Sequence, residues 1–177
     1  MSQSPAINIS NILEYPLISR IRRNHGLEHA TLHTLTSHLP HTMLFGHSDV
    51  GGFWIVGDVP PEMLHASVQE AITRLRAGER QLAIHPNCGT NFATAGALAG
   101  LAGAAAMLGS GKRLQDKLLR LPLAITLATI ALLFSQPLGL RVQARLTTSG
   151  DPGSLEVTSL THRKQGRITI HRIQTRG

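Results

Sequence analysis

Arg23-Asn24-His25-Gly26-Leu27-Glu28-His29-Ala30-Thr31-Leu32-His33 is the stretch from which the fold is best read. Helical spacing stacks residues four apart, one turn above another, so His25, His29 and His33 form a column with Glu28 beside it. Two imidazoles one turn apart can bind a single zinc ion, and a neighbouring carboxylate can take a proton from metal-bound water. His25, His29 and Glu28 are therefore candidates for two metal ligands and a catalytic base. The competing reading is statistical: a chain with 10 histidines in 177 residues will sometimes line up three of them as ordinary polar side chains.

Outward from this column, apolar residues at Leu17, Ile18, Ile21, Leu27, Leu32 and Leu35 predict a helix over Leu17 to Leu39, closed by Pro40. Residues 1–16 are polar and predict a loosely held lead. Thr42–Gly46 and Gly52–Val56 predict a β-hairpin turning through Ser48-Asp49-Val50-Gly51. A second helix starts near Asp58-Val59-Pro60-Pro61 and runs to Gly78 on the stripe Leu64, Val68, Ala71, Ile72 and Leu75. Gln81–Ile84 predicts a third strand. Residues 17–90 are then a small helix-β-β-helix-β domain, and the fold class is α+β. Residues 141–177 predict a C-terminal meander, with alternation in Leu140–Thr147, Leu155–Leu160 and Ile168–Ile173. These strands either extend the first sheet or stand apart.

Between the two β regions the composition changes. The chain is 42% hydrophobic but only 3% aromatic, and Phe92–Gly109 and Leu121–Gln136 hold no charged residue. Residues 91–140 predict a two-helix transmembrane hairpin joined by the basic connection Ser110–Lys117, with a buried Ala/Gly-rich core helix as the alternative for the first run. Gly96 and Gly100, spaced G-x-x-x-G, form a candidate face for a homo-oligomer or a membrane protein partner. A net charge of +7 with few aromatic residues to stack on bases argues against nucleic acid and for contact with the headgroups of a lipid bilayer. Residues 1–20 lack the charged and apolar regions of a signal peptide, which favours polar domains on the cytoplasmic side. A lone cysteine, Cys88, excludes an internal disulfide framework.

A second constellation, His85-Pro86-Asn87-Cys88-Gly89-Thr90-Asn91, precedes the first apolar run. His85 and Cys88 are three residues apart across a turn, a spacing that can chelate one ion. With His25 and His29, His85 would leave the fourth position to water and suit catalysis; Cys88 as well would close the shell and make the metal structural. His33 is a third ligand or an outer hydrogen-bond partner. Asp49 and Asp58 fit turn and cap roles better than ligation. The bland alternative has Asn87, Thr90 and Asn91 capping a helix, with Cys88 a small packing residue.

The ordered blocks RNHGLEHATLH, GG-F-W, G-D-V-P and LAIHPNCGTN over about residues 20–135 are similar to a family of small bacterial membrane proteins classed as a domain of unknown function. The resemblance implies membrane residence, and the bacterial cytoplasmic (inner) membrane, crossed by two helices, is the expected location. His25, Glu28 and His29 also resemble the inverted H-x-x-E-H motif of pitrilysin-type and insulysin-type zinc peptidases. That resemblance implies a further glutamate ligand downstream, for which Glu70 and Glu79 are the candidates. Three functions follow as expectations: a membrane protein with a His/Cys zinc site, a membrane metallohydrolase with Glu28 as base, or a non-enzymatic assembly factor. Haem ligation by the histidines is a further option.

Overall fold

A computed structural model describes residues 9–166 and 168–177; the first eight residues of the expected lead lie outside them. The described residues divide into two compact units, one running up to His85 and resuming from Leu146 onward, and one of residues 86–145.

In the first unit, a short helix α1 (Ile9–Leu13) precedes α2 (Pro16–His38). Proline at the first position of α2 costs no hydrogen bond, because that N–H has no intrahelical acceptor. The helix buries Leu27, Ala30 and Leu35, along with the polar Asn24, Glu28, His29, Thr31 and Thr34. α3 (Pro61–Arg76) begins with the same device and buries Leu64, Val68, Ala71, Ile72 and Leu75 at helical spacing. Gly78, at φ 98°, ends it in a conformation that a side chain would oppose.

Strands β1 (Phe45–Asp49), β2 (Gly52–Gly57), β3 (Glu156–Gln165) and β4 (Ile168–Arg176) form one antiparallel sheet in the order β1-β2-β4-β3. The C-terminal strands therefore join the first sheet. Phe53 and Ile55 of β2 and His171 and Ile173 of β4 are all buried, and Phe53, Ile55 and Ile173 pack with Leu27, Leu35, Leu64, Val68 and Leu155 into one core. On the opposite face Arg172 lies 4.6 Å from the centre of the Trp54 ring and pairs with Asp49 at 2.8 Å.

Asn24 ties α2 to this sheet. Fully buried, it donates through Nδ2 to the Asp49 carbonyl at 2.8 Å and accepts at Oδ1 from the Thr175 hydroxyl at 2.7 Å. Asn24→Ala should lower the unfolding free energy by about 2 kcal/mol, the cost of stranding buried polar partners. A urea melt followed by fluorescence of Trp54, the single tryptophan, checks this; an unchanged midpoint would refute the clamp.

Two strand expectations are corrected. Gln81–Ile84 is not a strand: Arg80–Ala83 is a 3-10 turn, closed by Leu82 N–H to Glu79 O and Ile84 N–H to Gln81 O, both 3.1 Å. Leu140–Thr147 is helical, continuing from α5 (Leu114–Val142) into a π-type turn over Gln143–Thr147. The alternation in that segment also fits a helix carried on from an apolar neighbour, and helix continuity wins.

The second unit is an antiparallel pair of α4 (Gly89–Met107) and α5. Gln143 donates to Asn91 Oδ1 at 2.6 Å, fastening the end of α5 to the start of α4. A Cβ on Gly139 would stand 2.6 Å from that same oxygen, so glycine permits the approach. The expected two-helix membrane hairpin is corrected to one candidate span. Among the described residues only Leu114–Thr147, 34 residues with a mean hydropathy of 2.0 in its most apolar window, is long and apolar enough, and only 6% of that window is buried. α4 falls short because its 19 residues begin Gly-Thr-Asn and include three further glycines.

Candidate metal centre

The first unit gathers four of the five predicted metal ligands. His25 and His29, one turn apart on α2, have ring centres 4.4 Å apart. His85, just beyond the 3-10 turn, lies 5.7 Å from His29 and 4.9 Å from His33 by the same measure.

Backbone carbonyls fix the tautomers. His25 Nδ1 meets the Thr147 carbonyl at 2.9 Å and His29 Nδ1 meets the Ala83 carbonyl at 2.8 Å. A carbonyl only accepts, so each Nδ1 carries a proton, and in the neutral ring it is Nε2 that holds the lone pair. His33 is reversed: its Nε2–H donates to the Ile84 carbonyl at 2.9 Å, leaving the lone pair on Nδ1. An N–H anchored to a carbonyl is how metal-binding imidazoles are usually oriented. His85 is pushed down to about 4, first by burial and then by repulsion from His33 and His29, so it is neutral at physiological pH. Rings oriented by backbone carbonyls present a defined nitrogen to a ligand.

These positions depend on close backbone approaches. A Cβ on Gly26 would overlap the Ser149 carbonyl and stand 3.3 Å from Ala83 Cβ, so glycine lets both segments lie against α2. Ser149 N–H donates to the Arg22 carbonyl at 2.9 Å, and the Thr147 carbonyl two residues earlier reaches His25.

Glu28 is held against β1. Its carboxylate lies over Gly46 of β1, where a Cβ would overlap it, and accepts from the Ser48 hydroxyl. Burial raises its carboxyl above the usual range; the Ser48 bond and the charges of His25 and His47 act against that. Cys88 belongs to the second unit. It is the N-cap of α4, its Sγ accepting from Thr90 N–H at 3.4 Å. Capping thus falls to Cys88 itself, while Asn91 bonds Gln143 and the Pro86 carbonyl.

The two downstream glutamates are occupied elsewhere. Arg74 pairs with Glu79 at 2.7 Å and with Glu70 at 3.3 Å. Asp49 has the expected turn role, accepting from Gly51 N–H at 2.7 Å. Nothing in the sequence marks the Thr147, Ala83 and Ile84 carbonyls, because backbone acceptors have no residue signature. Ser48 was legible only as a turn residue.

The family described as Domain of unknown function (DUF6391) matches residues 20–160, a range that includes every candidate ligand. An uncharacterized protein of Picosynechococcus sp. is 39% identical over 139 residues, covering 73% of this chain. The match spans 66% of that relative's own length. No solved structure matches the chain. Because the family model matches residues 20–160, most of its length, the chain belongs to this domain-of-unknown-function family.

Proposed function

We propose that the protein is a membrane-anchored metalloprotein that binds zinc through Nε2 of His25 and His29. The observation that carries this reading is the pair of Nδ1–H bonds to the Thr147 and Ala83 carbonyls, which point the same nitrogen of both rings away from the backbone. His25 and His29 each offer one imidazole nitrogen suited to zinc. His85 and Cys88, three residues apart in sequence, are the proposed remaining ligands, with His33 holding the arrangement from outside. Membrane anchorage is supported by the apolar segment Leu114–Thr147.

Elemental analysis of protein purified without a histidine tag tests the site. About one zinc per chain is expected, falling to below about a tenth in His25→Ala/His29→Ala, since each ligand contributes heavily to affinity. Metal-free wild-type protein that does not take up added zinc would sink the reading. Cys88→Ser separates its two forms: a closed site loses most of its zinc, whereas an open site with water in the fourth position keeps it.

A hydrolytic role for Glu28 is a second reading, favoured by burial that raises its carboxyl toward the range useful for proton transfer. In it Glu28→Gln retains zinc and loses turnover. Unchanged turnover in that variant would exclude Glu28 as the base.

A further inference from the structure

The positive charge of the chain is not evenly engaged. In the first unit Arg20 donates to the Thr175 carbonyl at 2.6 Å and Arg76 to the Leu155 carbonyl at 3.0 Å, while Arg74 and Arg172 pair with carboxylates. Around the turn between α4 and α5 the situation differs. Lys112, Arg113, Lys117 and Arg120 fall within nine residues of sequence and all are exposed. Among the described residues none of these four side chains enters an ion pair. The one acid nearby, Asp116, accepts from the Arg113 backbone N–H at 3.3 Å and so caps the helix.

Apolar residues alternate with these cations. Leu114, Leu118 and Leu119 are more than half exposed, and on a water-facing helix such a row would be costly. After Arg120 the next charged residue is Arg141, and the helix between them covers about 30 Å at 1.5 Å per residue, the thickness of a bilayer's hydrocarbon core. This spacing sets Arg120 at one edge of the core and the other three cations outside it, at the depth of lipid phosphates.

We propose that the α4–α5 turn is a binding surface for anionic phospholipid headgroups, with the four cations at the phosphates and the leucines in the acyl boundary. Charge complementarity chooses the ligand: a cluster of four cations with a single acid among them gains from a net negative headgroup and little from a zwitterionic one. Residues 108–120 contain no aromatic side chain on which a base could stack, so a nucleic acid is the poorer fit. The proposal rests on α5 crossing the bilayer.

The test uses the full chain in mild detergent, titrated with phosphatidylglycerol or phosphatidylcholine, with bound lipids counted by native mass spectrometry. At least about fivefold more phosphatidylglycerol should bind to the wild type, falling to near parity in K112Q/R113Q/K117Q/R120Q. K112R/K117R should keep the preference, as should R163Q/K164Q on β3. Equal binding of the two lipids by the wild type, or a preference that survives the fourfold variant, overturns the proposal. Displacement of phosphatidylglycerol by a short single-stranded oligonucleotide overturns it in favour of nucleic acid. Wild-type protein recovered as soluble without detergent overturns the span and this surface together, whereas an integral protein with no lipid preference overturns the surface alone.

Discussion

Gly26→Ala is expected to lower the unfolding free energy by about 3 kcal/mol or more, a large effect for one methyl group. In an exposed helix the same change would stabilise by about 1 kcal/mol, since alanine is the better helix former. Here the added carbon would overlap the Ser149 carbonyl, a backbone atom that cannot rotate aside. Relief requires the segment after the π-type turn to lift from α2, breaking the Ser149 N–H bond to Arg22 and drawing the Thr147 carbonyl away from His25. The variant should therefore lose zinc as well as stability. Gly100→Ala is the control: nothing lies within 4 Å of its added Cβ, and the helix should hold or gain. Chemical denaturation of both variants, with zinc content measured on the same samples, separates the outcomes. Wild-type stability in Gly26→Ala would show that the close approach is not needed.

Metal-free protein should lose stability as the pH falls from about 6.5 to about 4. His85 titrates at about 4 in the folded chain, against about 6.5 in an unfolded one. Between those values the unfolded chain binds the extra proton, so acid favours unfolding; the contribution is complete above 6.5 and lost as the pH drops toward 4. A gap of that size corresponds to about 3 kcal/mol at most, reduced by the partial exposure of the ring. His171, lowered chiefly by burial, acts in the same direction. Glu28 acts against them: burial raises its carboxyl, so its protonation on acidification favours the folded state. Measuring the slope in a Glu28→Gln background removes that opposition. His85→Asn should flatten the remaining acid limb, and an equally steep limb in that variant would remove His85 as its source. Added zinc should raise stability at neutral pH and steepen the acid loss, because protons and metal compete for the same lone pairs.

The two long α helices of the first unit were legible because their apolar stripes recur at helical spacing and prolines mark their starts. Hairpin β1–β2 was legible from its turn residues, with its first strand shifted by three positions to Phe45–Asp49. Gln81–Ile84 was not, because four residues of mixed polarity fit a strand or a 3-10 turn equally well. What decided the matter lay elsewhere in the chain: the Ala83 and Ile84 carbonyls that a strand would commit to a neighbour are taken by His29 and His33. The absence of charge in Phe92–Gly109 gave two membrane helices, but glycine and a polar first turn leave α4 less apolar than the missing charges suggest.

The sequence by itself determined the histidine column, since spacing along a helix is a local property, and it carries the family match over residues 20–160. It also determined the position of the apolar segment. Only the tertiary structure decided that the last two strands complete the first sheet, because pairing between β2 and β4 joins residues more than a hundred positions apart. The same is true of the histidines' tautomers. Their partners are carbonyls, present at every residue and therefore invisible in sequence, and folding selects Thr147, Ala83 and Ile84 by bringing their backbone against α2.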